Sequence, residues 1–169
     1  MPSTNRLDVV NQAPDEQAAE QLRACNASPR WIAEVLAGRP YLDVDSALDA
    51  AERAARSLDW DEVRQALDAH PRIGERVEGG STEARWSRRE QSAVGRTDAR
   101  TQDTLRAGNV AYERRFGHVF LIRAAGRSAE EMAAELDRRL GNDDVSERAE
   151  VTEQLAQITR LRLQTLLAG

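Results

Sequence analysis

Apolar residues recur along most of this chain at intervals of three and four, the repeat that turns one face of an α-helix toward a core. The C-terminal stretch shows it best: Val151, Leu155, Ile158 and Leu166 fall on one stripe at 100° per residue. Punctuation between the periodic segments divides the chain. A short helix is expected over residues 15–24. Ser28 and Pro29 read as a capping hydroxyl followed by proline at the first helical position. The helix they open carries Trp31, Ile32, Val35 and Leu36 and stops at Gly38, before Pro40. Asp45 or Ser46 opens the next, with Leu48, Ala51, Ala55 and Leu58 on its apolar face. Asp59 and Glu62 make a capping pair for a helix over 59–69. After a loop at 78–81, Ser81 or Thr82 starts a helix over 83–94 that ends at Gly95. Thr97 caps a longer one over 98–116, ended by Gly117. Gly108 inside it costs about 1 kcal/mol against alanine and implies close packing or a kink. Residues 119–122, Val-Phe-Leu-Ile, are the one run that reads as a strand. Ser128 and Glu131 form a capping box for the helix to Leu140, stopped by Gly141. The last helix runs over 146–167. Residues 1–14 are polar and read as a flexible arm. The sum is an all-α fold, a single compact domain of about seven to eight helices over residues 15–169.

Composition narrows the chemistry. All 24 basic residues are arginine, so a lysine Schiff base and lysine-bound pyridoxal phosphate are excluded. Cys25 is the only cysteine, which leaves no internal disulfide and no cysteine-built zinc site. His70 and His118 are the only histidines, and neither has carboxylates at a recognised ligand spacing, so no metal is expected. No glycine pattern cradles a phosphate, so no nucleotide cofactor is expected either. The net charge of −5 is spread over interspersed signs, unlike a nucleic-acid-binding face. No apolar run is long enough to span a membrane, and the N-terminus lacks the apolar core of a signal peptide. A cytoplasmic protein is the expectation.

Candidate chemistry gathers at three places. His70, followed by Pro71, falls where a helix must stop, because the residue before proline is biased away from helical angles. Gly74 can complete a turn there. A histidine at such a corner suits proton transfer, or it simply terminates the helix. Arg162 projects near the middle of the last helix's apolar stripe, whereas Arg160 points the opposite way. A buried guanidinium must find an anion. It forms a structural salt bridge, snorkels to water, or receives a substrate carboxylate through two parallel hydrogen bonds. Ser87, Glu90 and Gln91 share one helical face, either an ordinary solvated one or one that orients a polar heterocycle and an imidazole. Cys25 has no basic neighbour in sequence and reads as structural.

Several segments together resemble a known family. They are Cys25 through Trp31 with Arg39-Pro40, His70-Pro71-Arg72-Ile73-Gly74, Ser87-Arg88-Arg89-Glu90-Gln91, Tyr112 through Phe120, and Ile158 through Leu163. In this order they resemble the 2-oxo-4-hydroxy-4-carboxy-5-ureidoimidazoline (OHCU) decarboxylases of urate degradation. The resemblance implies an all-helical, cofactor-free, commonly dimeric enzyme that makes (S)-allantoin and carbon dioxide from OHCU. It implies that His70, Glu90 and Arg162 are catalytic. It also implies that Pro71, Ser87, Arg88, Arg89, Gln91 and the loop Phe120, Leu121, Ile122, Arg123 and Ala124 line the substrate pocket, the loop through its backbone. Many members carry an aromatic and a proline where this chain has His118 and Val119. The peroxisomal tail of animal members is absent. Two other readings make different predictions: a non-catalytic helical dimerisation domain, with Arg162 in an intersubunit salt bridge, and a carboxylate-rich metal hydrolase that a chelator would silence.

Overall fold

The computed structural model describes residues 6–74 and 77–168. Its regular elements are all helices: α1 (Asp8–Asn11), α2 (Asp15–Arg23), α3 (Pro29–Ala37), α4 (Val44–Arg56), α5 (Trp60–Leu67), α6 (Thr82–Glu90), α7 (Ser92–Gly95), α8 (Ala99–Phe116), α9 (Ala129–Leu140) and α10 (Asp144–Ala168). The fold class is the expected one, and eight of these helices have eight residues or more. Among the described residues no helix is long and apolar enough to cross a membrane. The chain divides into two compact units, Met1–Ala66 with Leu155–Gly169, and Leu67–Gln154.

In the first unit α3 packs against α2 and α4. Trp31 is fully buried, its indole N–H donating to the Ala51 carbonyl at 2.9 Å. Asn26, also buried, donates to Thr159 Oγ1 at 3.1 Å and accepts the Ser28 N–H at 2.9 Å, which fixes the loop between α2 and α3. Within the stretch expected to be a flexible arm, residues 8–11 are helical and Val10 is buried. Asn11 brackets the Tyr41 backbone with two bonds, and Arg39 donates to the carbonyls of Val10 and Ala13. Polarity there marks side chains that hold a neighbouring loop. Residues 1–5 of that stretch lie outside the described residues.

In the second unit α8 packs on α9 around Ile73, Val94, Leu105, Tyr112, Phe120, Ile122, Met132 and Leu136. Gly108 is the close approach: a Cβ there would press on the buried Leu136 side chain, with its Cγ only 3.1 Å away. Gly117 closes α8 in the left-handed region (φ 80°), where glycine alone is unstrained.

Several local expectations need correction. Residues 119–122 form no strand; Phe120, Leu121 and Ile122 are buried, and the Leu121 carbonyl bonds a side chain. The helix expected over 83–94 breaks at Gln91, which leaves helical angles (φ −94°, ψ 16°) as its side chain bonds a neighbouring turn. The helix toward His70 ends at Leu67, after which His70 N–H still donates to the Leu67 carbonyl at 2.9 Å. Asp43 and Asp98 take the capping roles assigned to Asp45 or Ser46 and to Thr97, and Asp143 caps the last helix, which starts at Asp144 rather than 146. Each accepts a backbone N–H three residues on, as a short carboxylate does well. The Asp59–Glu62 box closes reciprocally, with both bonds at 2.9 Å.

Candidate active site

The turn after α5 is built by Pro71 and Gly74. The ring stops the helix, and Gly74 takes φ 86° to reverse the chain. His70 and Pro71 are half-buried, while Ile73 is anchored in the core. Two side-chain amides lock the turn from outside. Asn109 on α8 donates to the Ile73 carbonyl at 2.6 Å, and Gln91 Oε1 accepts the Gly74 N–H at 3.1 Å. Asn109 Oδ1, buried, has no hydrogen-bond partner among the described residues.

The Gln91 bond joins the histidine turn to the end of α6, which presents Ser87 and Glu90. Ser87 is buried and Glu90 half-buried, so that face is not a solvated one. Arg88 and Arg89 are exposed. Arg88 donates to the carbonyls of Val77 (3.2 Å) and Gly79 (2.7 Å), shaping the loop before α6. A cleft of about 400 Å³ opens beside Gly74, Arg88, Gln91 and Gln102; it includes neither His70 nor Glu90.

Phe120, Leu121, Ile122 and Ala124 are buried and Arg123 is half-buried. This segment takes its backbone partners from side chains. Arg139 on α9 donates through Nη1 to the Leu121 carbonyl at 2.7 Å, and its guanidinium lies 4.6 Å over the Phe120 ring. Its Nε and Nη2 donate to Glu147 Oε1 at 2.9 and 2.5 Å. Arg139 and Glu147 have side chains 1% and 0% exposed, so the pair has lost nearly all its water. That desolvation costs several kcal/mol per ion unless every lone pair and donor is used. Tyr112 accordingly donates to Glu147 Oε1 at 2.5 Å and Asn142 to Oε2 at 3.0 Å. Burial first, then the Glu147 hydrogen bond, pushes the Tyr112 phenol far above its usual range, so it remains a neutral donor. Gln154 accepts the Arg123 N–H at 2.9 Å, and Arg127 donates to the carbonyls of Arg123 and Ala124. His118 stands edge-on to Tyr112, ring centroids 5.4 Å apart, taking an aromatic's part in this cluster.

Arg162 belongs to the first unit. It is 4% exposed, so it does not snorkel, and it donates to the Ala24 carbonyl at 3.2 Å. Arg160 faces Asp49 and Glu52, as the helical wheel requires.

Of the expected site residues, then, the turn that carries His70 and Pro71 is tied through Gly74 to Gln91 at the end of α6, and Ile73 of the same turn shares a core with Phe120, Ile122 and Ala124. Arg88 and Arg89 point to loop and solvent. The sequence reading missed Asn109, Tyr112, Arg139, Glu147 and Gln154. For Arg139 and Glu147 the signal was present: Arg139 continues the stripe of Ala129, Met132 and Leu136, and Glu147 that of Val151 and Leu155. Among the described residues no group of three or more His, Cys, Asp or Glu is placed to share a metal ion.

A family model described as OHCU decarboxylase matches residues 11–164. The chain is similar to the 2-oxo-4-hydroxy-4-carboxy-5-ureidoimidazoline decarboxylase of Haloferax volcanii, 28% identical over 159 residues that cover 93% of each chain. It is also similar to the protein of that name from Amia calva, 31% identical over 142 residues, 82% of this chain and 81% of the other. A crystal structure described as OHCU decarboxylase in the presence of (S)-allantoin aligns with a TM-score of 0.75 at 25% identity, over 93% of this chain and 100% of that one.

Proposed function

The chain belongs to the OHCU decarboxylase family, and we propose that it converts OHCU to (S)-allantoin and carbon dioxide in urate degradation, without a cofactor. The observation that carries this reading is the family match over residues 11–164, which spans the histidine turn, α6 and the segment 120–124 together. The 3.1 Å bond from Gly74 to Gln91 supports it, because it ties the turn bearing His70 to the helix bearing Ser87 and Glu90.

The chemistry needs little beyond placement. In OHCU one ring carbon carries a carboxylate and a hydroxyl beside an imine carbon. Breaking the bond to the carboxylate releases carbon dioxide, and its electron pair moves into the ring as the imine nitrogen takes a proton. The hydroxyl then gives up its proton to become the ring carbonyl, while the neighbouring carbon takes a proton on one face. The substrate supplies the electron sink, so the protein is left to orient the carboxylate, hold the developing enolate and deliver a proton. In this reading His70 carries the proton transfers. Glu90 orients the His70 ring and contacts substrate. Arg162 holds an anionic or carbonyl oxygen through its planar fork. Pro71, Ser87, Gln91 and the backbone of Phe120 to Ala124 hold the ureido group and ring edges. Arg88 and Arg89 complete the rim of the substrate pocket, Arg88 also holding the loop before α6. The working form is a cytoplasmic homodimer, which light scattering of the purified protein tests.

Circular dichroism tests the reaction. Urate oxidase and hydroxyisourate hydrolase generate OHCU in place, and unaided OHCU decays to racemic allantoin with no optical signal. With this protein present, the (S)-allantoin signal grows rapidly. In a folded His70→Asn variant it grows no faster than without protein. Slow racemic decay in the presence of the wild-type chain would return the protein to the helical interaction-domain reading.

A further inference from the structure

We infer that Arg139, clamped by Glu147, is a positioning residue that aims the backbone of residues 120–124 at the substrate. This rests on the reading of that segment as substrate-facing, and deepens it. A buried segment outside any helix or sheet still has to satisfy its backbone groups. Here the partners sit in order. The Leu121 carbonyl goes to Arg139, the Arg123 N–H to Gln154, and the Arg123 and Ala124 carbonyls to Arg127. Between and beside these anchored groups lie Phe120 and Ile122, no more than 3% exposed. Holding the Leu121 carbonyl and the Arg123 N–H fixes the direction of the peptide groups between them, which on the proposed reading face the substrate. A ureido group and an imidazolinone ring edge offer the matching alternation of N–H and C=O.

Arg139 is chemically specific for this task. Its guanidinium does three things at once: it bonds Glu147 with two nitrogens, the Leu121 carbonyl with the third, and covers the Phe120 ring with its face. An apolar pair would fill the same space without the desolvation cost. What it would lack is the directed donor to Leu121. A lysine keeps the charge against Glu147 but has neither the fork nor the flat face.

The test compares wild type, Arg139→Lys and Gln154→Ala. The second variant leaves the buried ion pair untouched. Thermal unfolding is measured first, then KM and kcat for OHCU and the affinity for (S)-allantoin by calorimetry. For Arg139→Lys we expect KM and the allantoin Kd to rise roughly tenfold with kcat within about threefold, because the proton-transfer groups are unmoved. Gln154→Ala shifts both in the same direction by about threefold. Folded variants with wild-type KM and allantoin affinity overturn the inference while the proposed reaction stands. So does a loss confined to kcat. A wild-type chain that neither turns over OHCU nor binds (S)-allantoin overturns the proposed reaction and this inference with it.

Discussion

The histidine turn and the segment 120–124 share one core, yet they are held by different physics. The turn is set by a proline ring, a positive-φ glycine and two neutral amides, Asn109 and Gln91. The segment is set by a buried guanidinium whose charge is balanced by a buried carboxylate. Neutral hydrogen bonds contribute about 1 kcal/mol each and can be removed one at a time. A desolvated ion pair is different: taking away one member leaves the other charged and alone in the core. The turn is therefore robust to the loss of either amide, whereas the segment is not robust to the loss of either ion. That contrast suits their contents. On the proposed roles, a turn whose side chain moves protons tolerates small adjustments, whereas backbone donors and acceptors that recognise a ring are useful only in fixed positions.

The largest expected effect follows directly. Arg139→Met alone leaves Glu147 uncompensated and lowers unfolding stability by about 3–5 kcal/mol, read from denaturant titration. Replacing both members, Arg139→Met with Glu147→Leu, recovers most of that stability because no charge remains buried. The comparison breaks if the single variant is as mild as a surface substitution, or if the double variant is no more stable than the single.

What the sequence allowed one to read follows the same divide. Helices were legible because their signals are local: Ser28, Ser81 and Ser128 each accept a backbone N–H three residues on, as their positions require. The histidine turn was legible for the same reason, since Pro71 and Gly74 act on their own backbone. Residues 119–122 were misread as a strand because four apolar residues in a row look alike in a strand and in a core-lining loop. The partners that decide the matter, Arg139 and Gln154, stand 18 and 31 residues from the groups they bond. Arg162 was singled out because it interrupts a long apolar stripe. Arg139 interrupts a shorter one on a helix whose neighbouring residue, Arg138, is exposed and paired with Glu135 and Glu150. Periodicity finds a buried charge, but only the fold says whether a carboxylate 8 residues away already answers it.

A smaller effect should appear at the turn. Asn109→Ala removes the 2.6 Å bond to the Ile73 carbonyl and leaves that acceptor unpaired, a loss of about 1–3 kcal/mol. It also removes Oδ1, a buried acceptor with no hydrogen-bond partner among the described residues, which offsets part of the cost. The net loss is about 1 kcal/mol, measured by the same titration. A loss equal to that of Arg139→Met would mean that the turn, too, depends on a single irreplaceable contact.

The smallest effect is one of acidity, and it separates the two anchors without mutation. Glu150 is held below the usual glutamate range, chiefly by its hydrogen bond from Arg138, with Asn142 assisting. Asn142 also donates to Glu147, so it links this surface carboxylate to the buried pair. A carboxyl lowered in the folded state contributes stability that is complete above its unfolded value. That contribution is lost as pH falls through the lower folded value. Between neutrality and the ordinary glutamate range of about 4.3 this contribution should not change. Below it, Glu150 takes a proton, its bonds to Arg138 and Asn142 weaken, and the support of Glu147 loosens. The anchors of the histidine turn are amides and do not titrate. Below that range, amide resonances of residues 120–124 should therefore shift and broaden as Glu150 is protonated, while those of Ile73 and Gly74 hold steady. Because Glu150 and Arg138 are partly exposed, the separation should narrow as salt is added. If the two sets of resonances move together at every ionic strength, the segment is not held by charge in the way its geometry implies.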